Sequence, residues 1–276
     1  MDPFSECRRS MIDSTKDGRE IMPAEIHVFR CLEDNIGVLV RDAATGACAS
    51  IDVPEARAVL RALEERNWRL TDILVTHRHG DHVQGIPEVK SKTGCRVVGP
   101  AKAAGQVRTL DETVQEGDKV AVGDLTLEVW ETPGHCADHV SYWCPSESVL
   151  FCGDTLFTMG CGRVLEGTPA DLWKSLERIA SLPADTTIYC GHDYTLSNAR
   201  FARAADPNNP EVARRLEEAE EARRTGRLLV PTTLATEQAT NPFLRAREPA
   251  LARAVGLEGA EPVEVFRALR EWKNRF

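Results

Sequence analysis

Residues 76–82 read Thr-His-Arg-His-Gly-Asp-His and place three of the chain's seven histidines, with an aspartate, in one short loop. Imidazole and carboxylate donors without thiolate suit zinc first, and are compatible with iron or manganese. The loop follows the apolar run "DILV", and side chains leaving a strand alternate in direction. His77 and His79 can therefore share one cation while Asp81 and His82 turn toward a second. A lone histidine is usually an ordinary core or surface residue, but three in seven positions beside an acid point to a metal loop.

Three further donors sit in similar surroundings, each at the end of an apolar or β-rich run beside glycine. They are His135 in "VWETPGHC", Asp154 in "VLFCGDTLF" and His192 in "TIYCGHDY". Strand ends that converge on one sheet edge form pockets, so these residues can meet the loop in space. Five histidines and two aspartates divide into two sets of about four donors if one carboxylate bridges, which leaves room for water and marks a catalytic site. The remaining two histidines, His27 and His139, read as structural.

The elements that must position these donors are legible around them. "IHVFR", "IGVLV" and "CASID" are short β-suited runs separated by turn residues. Pro54 opens an amphipathic helix in which Val59, Leu60 and Leu63 share a face, and "DILVT" is a buried strand leading into the histidines. "CRVV", "LTLEVW", "VSYWC", "SVLFC" and "TTIYC" follow as strands, with a helix from Pro169 to about Ser181. Beyond Cys190 strand signals fade, and "NARFARAA", "PEVARRLEEAEEARRTG" and "PVEVFRALREWKNRF" read as helices with Pro/Gly breaks. The expected organisation is an extension over 1–23 without fixed structure, an α/β domain over 24–193 and a smaller helical domain over 194–276.

Composition narrows the function classes. A net charge of -9 argues against nucleic-acid binding, because neutralising phosphates calls for a basic surface. The last 77 residues nevertheless carry 14 Lys/Arg against 12 Asp/Glu, so the tail is the part suited to an anionic substrate. Nine cysteines, odd in number and without a CxxC pair, read as buried free thiols in a reducing compartment. With no membrane-length apolar run and no secretory or transit pattern over the first 22 residues, the expectation is a cytoplasmic protein without membrane or nucleic-acid partners. A monomer is favoured.

"THRHGDH", followed in order by "TPGH", "GDTLF" and "GHDY", resembles the metallo-β-lactamase superfamily over roughly residues 24–276. That resemblance implies an αββα four-layer sandwich with two divalent metal ions. It implies His77, His79 and His135 on the first ion, Asp81, His82 and His192 on the second, and Asp154 as the bridge, with Asp81 and Asp154 counted as catalytic. "GDTLFTMGCGRVLEGTP", "GHDYTLSNARFA", "NPFLR" and "RALREWK" are similar to the glyoxalase II branch, the hydroxyacylglutathione hydrolases. In that branch the positions matching Arg163, Tyr194, Arg270 and Lys273 hold the glutathione moiety. Arg270 and Lys273 are three apart on a helix and share a face, so both can reach one carboxylate.

The implied activity is hydrolysis of S-(2-hydroxyacyl)glutathione, chiefly S-D-lactoylglutathione, by a dinuclear-metal hydroxide, the second step of methylglyoxal detoxification. A rival within the superfamily is a glutathione persulfide dioxygenase with a single iron. More distant alternatives are a nucleic-acid-processing hydrolase and a binding module without catalysis. Two departures from the family pattern stand out. Cys136, Ala137 and Asp138 replace the usual Thr-x-Gly, removing a hydroxyl behind a ligand histidine and adding an acid. Leu165 stands where an aromatic is common, opening one wall of the substrate pocket. Cys136 itself reads as a small buried thiol.

Overall fold

The computed structural model describes residues 23–276 together with a two-residue strand pair, Thr15–Lys16 with Arg19–Glu20. The expected extension over 1–23 lies mostly outside the described residues, as does Cys7.

Two six-stranded sheets form the centre. In the first, Ala24–Cys31, Asn35–Asp42 and Cys48–Ile51 run antiparallel, and Cys48–Ile51, Asp72–Leu74, Arg96–Pro100 and Glu112–Val114 run parallel. In the second, Lys119–Val122, Leu125–Glu131, Val140–Cys144 and Val149–Gly153 are antiparallel, and Thr187–Cys190 pairs parallel with Val149–Gly153. Period-2 alternation decides what each face meets. Along Asn35–Asp42, Ile36, Val38 and Val40 face the second sheet, in a core with Leu127, Val129, Tyr142 and Leu150. Leu39 faces the other way and joins Val59 and Leu63 of helix Ala56–Arg66 and Ile86 and Val89 of helix Ile86–Thr93. The short strand Asp72–Leu74 is buried on both faces, Leu74 toward the inter-sheet core and Ile73 toward the helices.

The other outer layer begins with helix Pro169–Ala180. Its first turn is closed by a capping box between Thr168 and Asp171, with Pro169 fixing the first residue's φ. Trp173 of this helix packs on Phe266 of the terminal helix Pro262–Arg275, ring centroids 5.6 Å apart. Helices and sheets thus form the αββα sandwich that the sequence resemblance implies.

The tail is helical over Thr195–Ala205, Pro210–Thr225, Leu234–Thr240, Pro249–Ala254 and Pro262–Arg275. It also contributes something the sequence does not advertise: Thr232–Thr233 adds an edge strand to the second sheet by pairing with Thr187 and Ile188. Phe201, Phe243, Phe266 and Leu269 continue the inter-sheet core without a break. A buried Glu237 accepts from Met159 N at 2.7 Å and Thr232 Oγ1 at 2.9 Å, while Asn241 Nδ2 donates to Gly160 O at 2.9 Å. These bonds tie the helical tail to the turn between Asp154 and Arg163. Among the described residues no helix is long and apolar enough to cross a membrane.

Candidate metal centre and substrate cleft

The donors are delivered by strand ends. Strand Asp72–Leu74 stops just before the metal loop, and Asp52, just past Cys48–Ile51, receives that loop. Asp52 adopts the left-handed φ of 57° and accepts from Thr76 N and Thr76 Oγ1, each at 2.7 Å. His135 follows Leu125–Glu131, Asp154 follows Val149–Gly153, and His192 follows Thr187–Cys190.

All seven sequence-predicted donors come together, in two groups. His79 Nδ1 lies 3.1 Å from both His77 Nε2 and His135 Nε2. His192 Nε2 lies 3.2 Å from both His82 Nε2 and Asp81 Oδ2. Between the groups, Asp154 Oδ1 is 3.4 Å from His82 Nε2, and Oδ2 is 3.5 Å from His135 Nε2 and from His192 Nε2. Bonds of about 2.0–2.1 Å to a tetrahedral ion put neighbouring donor atoms about 3.3 Å apart, so these spacings are those of ligand sets.

The outer ring nitrogens decide what faces inward. His82 Nδ1 donates to Asp52 Oδ2 at 2.8 Å, His192 Nδ1 to Asp34 Oδ1 at 2.9 Å and His135 Nδ1 to Arg163 O at 2.9 Å. The Thr76 hydroxyl gives its proton to Asp52, so its oxygen accepts from His77 Nδ1 at 3.0 Å. Carboxylates and carbonyls only accept, so Nδ1 carries a proton in all four rings and their Nε2 atoms turn toward the centre. Two Nε2 atoms facing one another at 3.2 Å, as in His82 and His192, call for a proton or a cation between them. So does Asp154 Oδ1, buried without a hydrogen-bond partner among the described residues. Gly191 leaves the space open: a Cβ there would sit 2.5 Å from Asp154 Oδ1 and 2.7 Å from His82 Cε1.

Asp154 is itself oriented by a residue read from sequence as merely structural. Its backbone N donates to His139 Nε2 at 3.0 Å, and His139 Nδ1 meets Thr132 Oγ1 at 3.0 Å. Burial, then the neighbouring His135, pulls His139 down to about 3, so it stays a neutral acceptor. Burial alone would push the Asp154 carboxyl up, but His82 and His192 hold it well below the usual carboxylate range. His27, the other histidine read as structural, packs on Phe29 and Trp68.

Two other groups approach the donors. Asp52 is spent on the outer edges of His82 and Thr76, so it orients ligands and does not complete a set. Cys136 has its sulfur within 4.8 Å of donor atoms of His77 and His79, and is buried as expected. Burial, then Asp138, pushes its thiol well above the ordinary range, which keeps it neutral.

Above the donors opens a cleft of about 500 Å³ whose lining includes His79, Asp81, His135, Asp154 and His192. The four predicted substrate residues, Arg163, Tyr194, Arg270 and Lys273, line the same cleft. Tyr194 stacks on His192 with centroids 4.9 Å apart. Arg270 Nη1 donates to Cys161 O at 2.8 Å, while its buried Nε has no partner among the described residues. Lys273 Nζ donates to Ser197 Oγ at 2.8 Å. His77 and His82 lie beneath the floor, fully buried. Leu165 is 57% exposed and is not among the residues lining this cleft.

Residues 42–192 match the family model described as metallo-beta-lactamase superfamily, and 193–276 match hydroxyacylglutathione hydrolase C-terminus. A curated relative from Methylobacterium sp. (strain 4-46), named hydroxyacylglutathione hydrolase, is 66% identical over 91% of this chain and 99% of its own. A relative of the same name from Rhodopseudomonas palustris is 51% identical over 92% of this chain and 99% of its own. Among solved structures, ETHE1 from Myxococcus xanthus aligns with a TM-score of 0.64 at 28% identity, covering 91% of this chain and 90% of that one. The BLEG-1 B3 metallo-beta-lactamase shares the fold, with a TM-score of 0.61 at 22% identity over 80% of this chain and 99% of that one. The metallo-β-lactamase domain, with its His/Asp donors for divalent metal, and the matching C-terminal helices make this chain a member of the hydroxyacylglutathione hydrolase family.

Proposed function

We propose that this protein hydrolyses the thioester of S-(2-hydroxyacyl)glutathione, chiefly S-D-lactoylglutathione, to D-lactate and glutathione, the second step of methylglyoxal detoxification. One observation carries the reading: two sets of metal donors and the Arg270–Lys273 pair open into a single cleft. His77, His79 and His135 would hold one ion, Asp81, His82 and His192 the other, with Asp154 between them. Zinc is the metal best suited to these nitrogen and carboxylate donors.

When bound, such ions acidify a water and polarise a carbonyl oxygen. The chain's own residues do the rest. Arg270 and Lys273 would take a glutathione carboxylate as a charge-assisted pair, with Arg163 and Tyr194 holding the peptide along the cleft wall. That leaves the acyl carbon over Asp81 and Asp154; Asp154 would stand between the ions, and Asp81, engaged with His192 and Asn35 through Oδ2, would orient the attacking water. Water adds to the carbonyl, the C–S bond breaks, and the sulfur leaves as thiolate. A thiol of pKa about 8.5 needs little protonation to depart, so no dedicated general acid is called for.

The single-iron persulfide dioxygenase alternative would leave the Asp81, His82 and His192 set without work. Elemental analysis separates the two readings, since one requires two metal ions per chain and the other a single iron. Arg270→Ala tests the substrate: KM for S-D-lactoylglutathione should rise about tenfold or more with kcat little changed. An unchanged KM would contradict the glutathione assignment. His79→Ala, by contrast, should abolish turnover.

A further inference from the structure

We infer that Asp138 and Arg78 form a clamp that positions His79, and through it the first metal ion. Four of the five donor histidines have the outer ring nitrogen held by a hydrogen bond, to Thr76, Asp52, Arg163 O or Asp34. His79 has no such bond among the described residues. It also differs in the atom it offers, turning Nδ1 to His77 and His135 where the others turn Nε2. Nδ1 lies closer to the backbone than Nε2, so its position depends more directly on where the chain holds residue 79.

The backbone is held immediately before that residue. Arg78 N donates to Asp138 Oδ2 at 2.9 Å, and the Arg78 guanidinium pairs with Asp138 Oδ1 and with Glu166. Asp138 is only 2% exposed, so the pair is shielded from solvent and salt. On the other side of His79 the short helix Gly80–Val83 begins, with His82 N donating to His79 O at 2.9 Å, so the backbone of residue 79 is held between that turn and the Arg78–Asp138 contact. The departure from the family's Thr-x-Gly thus has a local purpose. The acid at 138 pins the metal loop and joins it to the loops bearing His135 and Glu166.

The inference rests on the proposed ligand assignment but not on the substrate. Wild type and variants are loaded with two equivalents of zinc, and release to a chromogenic chelator is followed together with the melting midpoint of the metal-free proteins. Asp138→Ala should accelerate one of two release phases about 10- to 100-fold and leave the other, with the metal-free midpoint near wild type. Arg78→Ala should have a smaller effect, because the backbone N–H of residue 78 remains to donate. Asp138→Asn, which keeps the side chain's size and an acceptor oxygen, should fall between, and decides the matter if Asp138→Ala does not fold. Asp52→Asn, acting directly on His82 and through Thr76 on His77, should accelerate the other phase more than the one Asp138 governs. Unchanged release from Asp138→Ala, equal acceleration of both phases, or a larger effect from Arg78→Ala overturns the clamp. A wild type that takes up no zinc overturns the ligand assignment and the clamp together.

Discussion

Asp52 and His82 are joined at 2.8 Å between Oδ2 and Nδ1, and the same carboxylate receives Thr76, whose hydroxyl in turn accepts from His77. One buried acid therefore sets the tautomer of a histidine in each of the two donor groups. Asp52→Asn leaves an acceptor but removes the charge that raises the basicity of both rings. Metal affinity should fall about 10- to 100-fold, with the loss greater at the His82 site that Asp52 touches directly. Titration calorimetry of the metal-free protein checks this, and wild-type affinity in the variant would assign Asp52 to folding alone.

Gly191 offers a complementary test. Its missing side chain leaves the space between Asp154 Oδ1 and the His82 ring. Gly191→Ala drives a methyl against Asp154 Oδ1 and the His82 ring and so displaces two donors, and elemental analysis should find about one metal ion or fewer per chain while circular dichroism stays that of the wild type. Full metal content in that variant would place the ions elsewhere.

Lys273 gives the cleft a pH dependence. Burial, then the nearby charges of Arg270 and Arg163, brings its amine down to about 8. A lowered lysine loses its charge as pH rises through that value, so its hold on a carboxylate weakens in the same window. KM for the glutathione thioester should climb from about pH 7 to about pH 9, and in Lys273→Arg, charged throughout, the climb should flatten. An equal climb in both proteins would show that Lys273 does not bind the anion.

The donors were legible in the sequence because each stands where a β-suited run meets glycine or the histidine loop, a local signal. Their orienting partners were not, because those contacts cross the chain: Asp34 meets His192 at a separation of 158 residues and Asp52 meets His82 at 30. His139 was read as structural from its type alone, and only the fold reveals that it fixes Asp154. The edge strands Glu112–Val114 and Lys119–Val122 escaped notice because they are short and four of their seven residues are exposed, and Thr232–Thr233 because two residues carry no period. The Asp138 departure was visible, but its partner Arg78 could be named only once the two loops were seen together.

Thiol release from S-D-lactoylglutathione by the purified, zinc-loaded protein tests the proposed activity most directly, with metal content measured on the same sample. Turnover should fall in the range of about 1 to about 10³ s⁻¹, stop on chelation and return on adding zinc. Two bound metal ions with no thiol released would contradict it.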